Sequence, residues 1–269
     1  MNEHAVHLLD DEEARAGMAA HEFPDEFLER HLSEERRRAS LLGEVREAVF
    51  GAQDGLVSTL AVVSAVAGAG TDRFGVLVAG IAAGLAGIFS MAAGEYLSSK
   101  SQREIFESQI VDERREVHER PGEAEAEMAY MLADDGLPRE TAAAVARAMA
   151  QHPEVLLKTM VEKELGLAVE PDEGSPLQGA LVMGAAFGLG AAVPIIPHLF
   201  LAGGIGVVVS TFATLAVLFG IGVVKSRWTH RSWWSAGLEI LVIGAVAGVV
   251  GYFFGSVLPT LLGAPAPPV

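Results

Sequence analysis

The sequence predicts an all-α integral membrane protein: five transmembrane helices, with a three-helix acidic domain on the cytoplasmic side between spans two and three. Three observations predict it. The first is segregation, since 51% of the 269 residues are hydrophobic while 20% are charged. Mean hydropathy is +0.35 and formal charge −16, too apolar for an ordinary soluble domain and too charged for a bare membrane bundle. The second is that charge is absent from 55–71, 74–94, 176–224 and 240–269. Several of these runs exceed the roughly 20 apolar residues that cross a bilayer. The third is the stretch between them, 95–176, which is polar, glutamate-rich and helix-forming.

Taken in order, residues 1–46 read as a cytoplasmic arm, with His4, His7, His21 and His31 among carboxylates and a helix from Asp25 to Arg46. The acidic start lacks the basic-then-apolar order of a cleaved signal, so the first apolar run reads as a retained span. Spans one and two fall at about 48–70 and 74–97, making one membrane unit over 47–97. The acidic domain takes 98–175. The run 176–224 is too long for one helix, and Pro194, Pro197 and Gly203-Gly204 divide it into spans at about 177–198 and 203–224. A fifth span, about 236–262, completes a second membrane unit over 176–262, and 263–269 is a non-cytoplasmic tail. Orientation follows the flanking cations. Arg36, Arg37, Arg38, Arg46, Lys100, Arg103, Lys225, Arg227 and Arg231 fall on one side, and Arg73 alone on the other. The cation-rich side is predicted cytoplasmic, with Trp228, Trp233 and Trp234 at its interface.

Within the acidic domain, Pro121 ends one helix and Gly136-Leu137-Pro138 a second, which gives three amphipathic helices. Residues three or four apart share a helical face. Glu113 and Glu116 thus form one carboxylate pair, and Glu123 and Glu127 a second. Met160 and Glu164 set a thioether beside a carboxylate. Like charges at this spacing repel, and a divalent cation is the simplest neutraliser. A solvated acidic face is the plainer account of any one pair alone. The acidity excludes nucleic acid as a partner, which wants clustered Lys and Arg. The absence of cysteine excludes disulfides, zinc-thiolate and iron–sulfur sites.

Asp54 lies inside the first span, about 10 Å beyond Glu47 along a helix, and an intramembrane carboxylate is functional by default. Met91 is one turn before Glu95, on the same face of the second span and at a depth similar to that of Asp54. A carboxylate with a thioether suits a borderline ion such as Fe²⁺ better than Mg²⁺ or Ca²⁺. Glu239, entering the fifth span, reads as an interfacial residue as readily as a functional one. The Gly- and Ala-rich faces of the spans read as close helix packing.

Two stretches carry a resemblance: Phe50-Gly51-Ala52-Gln53-Asp54-Gly55-Leu56-Val57-Ser58-Thr59 and Ser90-Met91-Ala92-Ala93-Gly94-Glu95-Tyr96-Leu97-Ser98. Together they resemble the paired signatures of the vacuolar iron transporter family, and the likeness runs from about Leu42 to Leu262. It implies a homodimer in a cell inner membrane or vacuole-type membrane, with a cytoplasmic N-terminus. The homodimer would export Fe²⁺ and Mn²⁺ from the cytoplasm by proton antiport, without a prosthetic group. It implies metal ligation by Asp54 and Met91 in the membrane, and by Glu113, Glu116, Glu127, Met160 and Glu164 in the insert. Glu95 and Glu123 complete the candidate ligand set. Two positions depart from the family's pattern: Ala124, where a further glutamate is expected, and Val161, where a second methionine is common. The alternative is a membrane-anchored metal buffer or sensor that transports nothing. No nucleophile motif, phosphate loop or histidine-rich zinc signature supports an enzyme.

Overall fold

The computed structural model describes residues 25–164, 175–229 and 231–261. Residues Met1–Gly43 and Glu44–Val269 form two separate compact units. His4, His7 and His21 of the arm, and the predicted tail 263–269, lie outside the described residues. Within the first unit the described residues are helical, and His31 pairs with Glu35 at 3.4 Å and stacks on Phe27.

All regular structure among the described residues is helical. The helices are α1 (Asp25–Gly68), α2 (Arg73–Glu119), α3 (Pro121–Asp134), α4 (Arg139–Ala150), α5 (Pro153–Glu164), α6 (Pro176–Phe200), α7 (Gly203–Thr229) and α8 (Trp233–Leu261). Five of them, α1, α2, α6, α7 and α8, are long and apolar enough to cross a membrane. Local signals mark several of the helix ends. Asp72 caps α2 by accepting the Gly75 N–H at 2.9 Å. Arg120 closes α2, and Pro121 opens α3 at the one position where its missing N–H costs nothing. Gly136, at φ 106°, ends the turn after α3.

Two expectations are corrected. The third helix of the acidic insert is two helices, α4 and α5, because Pro153 restarts the chain after Gln151-His152. Pro194 and Pro197 do not divide the third and fourth spans. Both lie inside α6, which continues to Phe200, and the break falls at Gly203 with φ 62°. Proline is tolerated inside spans because packed neighbours satisfy freed backbone groups.

The spans of the second unit touch through glycines. A side-chain carbon at Gly55 would collide with the Phe187 carbonyl of α6, and one at Gly51 with that of Met183. Elsewhere on α6, a carbon at Gly184 would sit 3.0 Å from the Ala92 side chain of α2, with Ile88 next. Gly251 and Gly255 of α8 rest in the same way on Ala61 and Ala65 of α1. Small residues let membrane helices approach to backbone contact. The insert has its own core, in which Val117 of α2 meets Ala124, Met128 and Leu132 of α3, Ala142 and Ala146 of α4, and Leu156, Leu157, Met160 and Val161 of α5. The spacing of 124, 128 and 132 is the single apolar stripe of an amphipathic helix.

Candidate metal centre

That stripe positions the carboxylates. Glu123 and Glu127 each precede a core residue by one position, so they stand at one edge of the buried face of α3. Glu113 is four residues before Val117 on the inner face of α2 and is only 8% exposed. The sharp turn at Arg120-Pro121 folds α3 back along α2. One carboxylate oxygen each from Glu116, Glu123 and Glu127 thereby falls within 4.8 Å of the others. Glu164, the last residue of α5, borders the same place. It lines a cleft of about 440 Å³ with Glu123, Ala126, Glu127, Tyr130 and Met131.

The electrostatics show a cluster with too little positive charge. Among the described residues Arg120 alone pairs inside it, at 3.3 Å to Glu116 and 2.8 Å to Glu123. Several acids elsewhere in the insert have partners of their own, among them Glu125 with Arg147, Glu154 with Arg114, and Asp135 with Lys163. Among the described residues no ion pair reaches Glu113, Glu127 or Glu164. Burial, then Glu164, Glu116 and Glu127, push the Glu113 carboxyl up to about 7. Its Oε1 is buried without a hydrogen-bond partner. Burial and then the neighbouring glutamates, Glu116 first, also raise Glu127, with Arg120 opposing. A buried acceptor without a donor is a costly arrangement in a folded protein. A divalent cation would supply the missing positive charge to all these oxygens at once, and hard carboxylates are apt ligands for it.

Met160 does not share this surface. It is fully buried beside Met128 in the insert core, while Glu164, one turn on, is exposed. Ala124 and Val161 are fully buried in that core as well. The thioether that does line the cleft belongs to Met131, which the spacing argument passed over although it lies four residues after Glu127. Arg120 was passed over too, although it lies four residues after Glu116 and three before Glu123.

Inside the spans, Asp54 is half-buried on α1. Ser58 donates to its backbone carbonyl at 2.6 Å, and among the described residues no cation pairs with its carboxylate. Met91 of α2 is half-buried too. Both lie level with one stretch of α6: Gly51 and Gly55, which bracket Asp54, meet Met183 and Phe187, and Ile88 and Ala92, which bracket Met91, meet Gly184. Glu95 accepts a hydrogen bond from Ser99 at 2.6 Å and acts electrostatically on Glu47 of α1. Glu47 closes against Gly179 at the start of α6, and Glu44 accepts from Gln178 at 2.7 Å. Sequence reasoning missed Glu44 and Glu47, although Glu47 is two helical turns before Asp54 on the same face.

Comparison with known proteins gives the same direction. The chain is 32% identical over 226 residues to vacuolar iron transporter 1 of Eucalyptus grandis, covering 83% of this chain and 90% of that protein. It is 30% identical over 215 residues to vacuolar iron transporter 1 of Arabidopsis thaliana, covering 80% and 86%. Protein CCC1 of Saccharomyces cerevisiae is 26% identical over 223 residues, covering 80% and 69%. The VIT family matches over residues 45–256, which reaches all five spans and takes in the acidic insert between them. On that match the chain is a member of the VIT family, a multi-pass membrane protein among relatives named as vacuolar iron transporters.

Proposed function

We propose that the protein exports divalent transition metal, Fe²⁺ and also Mn²⁺, from the cytoplasm across its membrane in exchange for protons. The observation that carries this reading is Asp54, a carboxylate within an apolar span, without an ion pair among the described residues and level with Met91. A buried charge at that depth is costly and serves no purpose in a buffer that only gathers metal. Glu113, Glu116, Glu123, Glu127 and Glu164 collect the ion. Glu95 stands between that insert and the Asp54/Met91 step. Met160 supports the insert from its core, and Met131 offers the thioether. Metal and proton compete for the same oxygens, so one carboxylate can exchange them.

In this reading 1–46 is a cytoplasmic arm, 47–97 and 176–262 form the membrane part, 98–175 is the cytoplasmic metal-binding domain and 263–269 lies on the far side. Cations flank the insert side of the spans and only Arg73 the other, which supports this orientation. A second copy of the chain would seal a path along the exposed face of α2, where Phe74, Val78, Ile81, Leu85 and Phe89 are uncovered.

The deciding experiment is initial-rate Fe²⁺ and Mn²⁺ flux into proteoliposomes with and without an acidic interior. Metal should accumulate in the lumen faster with the gradient than without. Stoichiometric binding with no lumenal accumulation would leave only the buffer reading.

A further inference from the structure

His198 is a buried titratable side chain that this scheme leaves unused. It lies in the last turns of α6, at the end of the spans away from the insert, and is 2% exposed. Its Nε2 has no hydrogen-bond partner. The ring rests against α7: a side-chain carbon at Gly206 would stand 2.9 Å from Nδ1 and 3.1 Å from Cε1. A side chain there would press on the imidazole and on the Leu201 carbonyl, 3.1 Å away.

The turn that carries His198 is tied on both sides. Toward the middle of the span, Ser210 of α7 donates to the Pro194 carbonyl at 2.7 Å. Toward the end, Arg73 of α2 donates to the Leu199 carbonyl at 3.3 Å. Between the ties, Pro194 and Pro197 contribute no N–H, so α6 is thin in backbone hydrogen bonds here. The charged surroundings are sparse. Residues 55–68 of α1, 203–224 of α7 and 240–261 of α8 carry no charged residue, and Tyr252 of α8 is their one titratable side chain. Asp72 and Arg73 at the start of α2 are the near charges, the first engaged with the Gly75 N–H and the second with Leu199. Among the described residues no anion is in contact with the ring where it sits, so an imidazolium formed in place would have to move to find one. A buried charge without a partner forces its surroundings to move.

We propose that His198 is a proton-operated latch: a proton taken up from the side opposite the insert drives the imidazole off Gly206 and opens the α6–α7 contact, and its loss reseals it. The link to cargo rests on the transport reading, since an acidic delivery side would then favour the open form. The latch itself stands on the packing alone.

Hydrogen exchange on the full-length protein in proteoliposomes reads the latch directly. Conditions of about pH 5.5 and about pH 7.5 bracket the ordinary imidazole range. After correction for intrinsic rates, residues 194–206 should exchange about tenfold faster at the lower pH, as a local opening would require. His198→Gln, polar but not titratable here, should show no such difference. Gly206→Ala should hold the contact open and exchange fast at both values. Equal protection of the wild type at the two pH values, or a wild-type response in His198→Gln, overturns the latch. An intact exchange response in vesicles that move no metal supports the latch and removes the transport reading instead.

Discussion

The insert and the spans both hold carboxylates without enough cations to balance them, at opposite extremes of solvation. In the insert, five glutamates converge beside one guanidinium at the edge of an open cleft, and only Glu113 is deeply buried. In the spans, Asp54 is single, and among the described residues nothing neutralises it. Repulsion in the first place is shared among many oxygens, so the loss of one leaves others to hold an ion. In the second there is no substitute, because a low-dielectric span offers an ion little else. The insert is thus built to be tolerant and the span to be exacting.

Asp54→Asn tests that contrast at its strongest. The amide keeps size and hydrogen bonding and removes both the charge and the exchangeable proton. Metal flux in proteoliposomes should fall by roughly 100-fold or more, as the site loses its one anionic ligand. Calorimetric binding of metal by the same full-length variant should stay close to wild type, since the insert cluster is untouched. Near-normal flux with unchanged pH dependence would end both the pathway and its proton coupling.

How much of this was legible beforehand depends on distance in the chain. The five spans followed from apolar length, and Glu113/Glu116 and Glu123/Glu127 from helical spacing, because both signals are local. Pro153 splits the last part of the insert, whereas Pro194 and Pro197 stay within α6; a proline alone does not say whether neighbours will repair the ladder. Met160 has the right spacing to Glu164, but α3 and α4 close over it. Ala124 was readable only as a missing glutamate. In the fold it is a core residue, where a carboxylate would be desolvated, so the acidic edge runs through Glu123 and Glu127 instead. The isolation of His198 Nε2 depends on Gly206, and no pattern on α6 announces it.

Glu113 gives an intermediate effect, with a sign that can be worked out. Its carboxyl is held at about 7 in the fold against an ordinary value of 4.5. Folding therefore favours the protonated form. The stability this contributes is complete below the unfolded value and is lost as pH rises through about 7. The metal-free insert should lose up to roughly 3 kcal/mol between about pH 4.5 and pH 8, an upper bound from the size of the shift. Glu113→Gln should flatten that dependence in a pH series of thermal melts. Metal works in the opposite sense, since it needs the ionised carboxylate. Binding to wild type should weaken as pH falls from about 8 to 6, by about tenfold or less given the remaining glutamates. A metal-free melt that is no less stable at pH 8 than at pH 6 would sink this account of Glu113.

The smallest effects are expected at the thioethers, and they sharpen the contrast between wet and dry sites. Leucine conserves the volume of methionine and removes only the soft donor, so each substitution asks whether sulfur or shape matters. Met91→Leu sits beside a lone carboxylate and should shift the Fe²⁺/Mn²⁺ flux ratio by about two- to fivefold, with total flux less affected. Met131→Leu lines an open cleft rich in oxygen donors, and its effect on the Fe²⁺/Mn²⁺ binding ratio should be about twofold. Met160→Leu should leave that ratio unchanged. Its side chain is fully enclosed by Met128, Leu156 and their neighbours, and the swap should cost no more than about 1.5 kcal/mol of stability. Competition calorimetry on the three full-length variants, with thermal melts alongside, separates donor from filler. A changed metal preference in Met160→Leu with Met131→Leu silent would mean that the insert opens when it binds, and that the thioether predicted by spacing is the ligand after all.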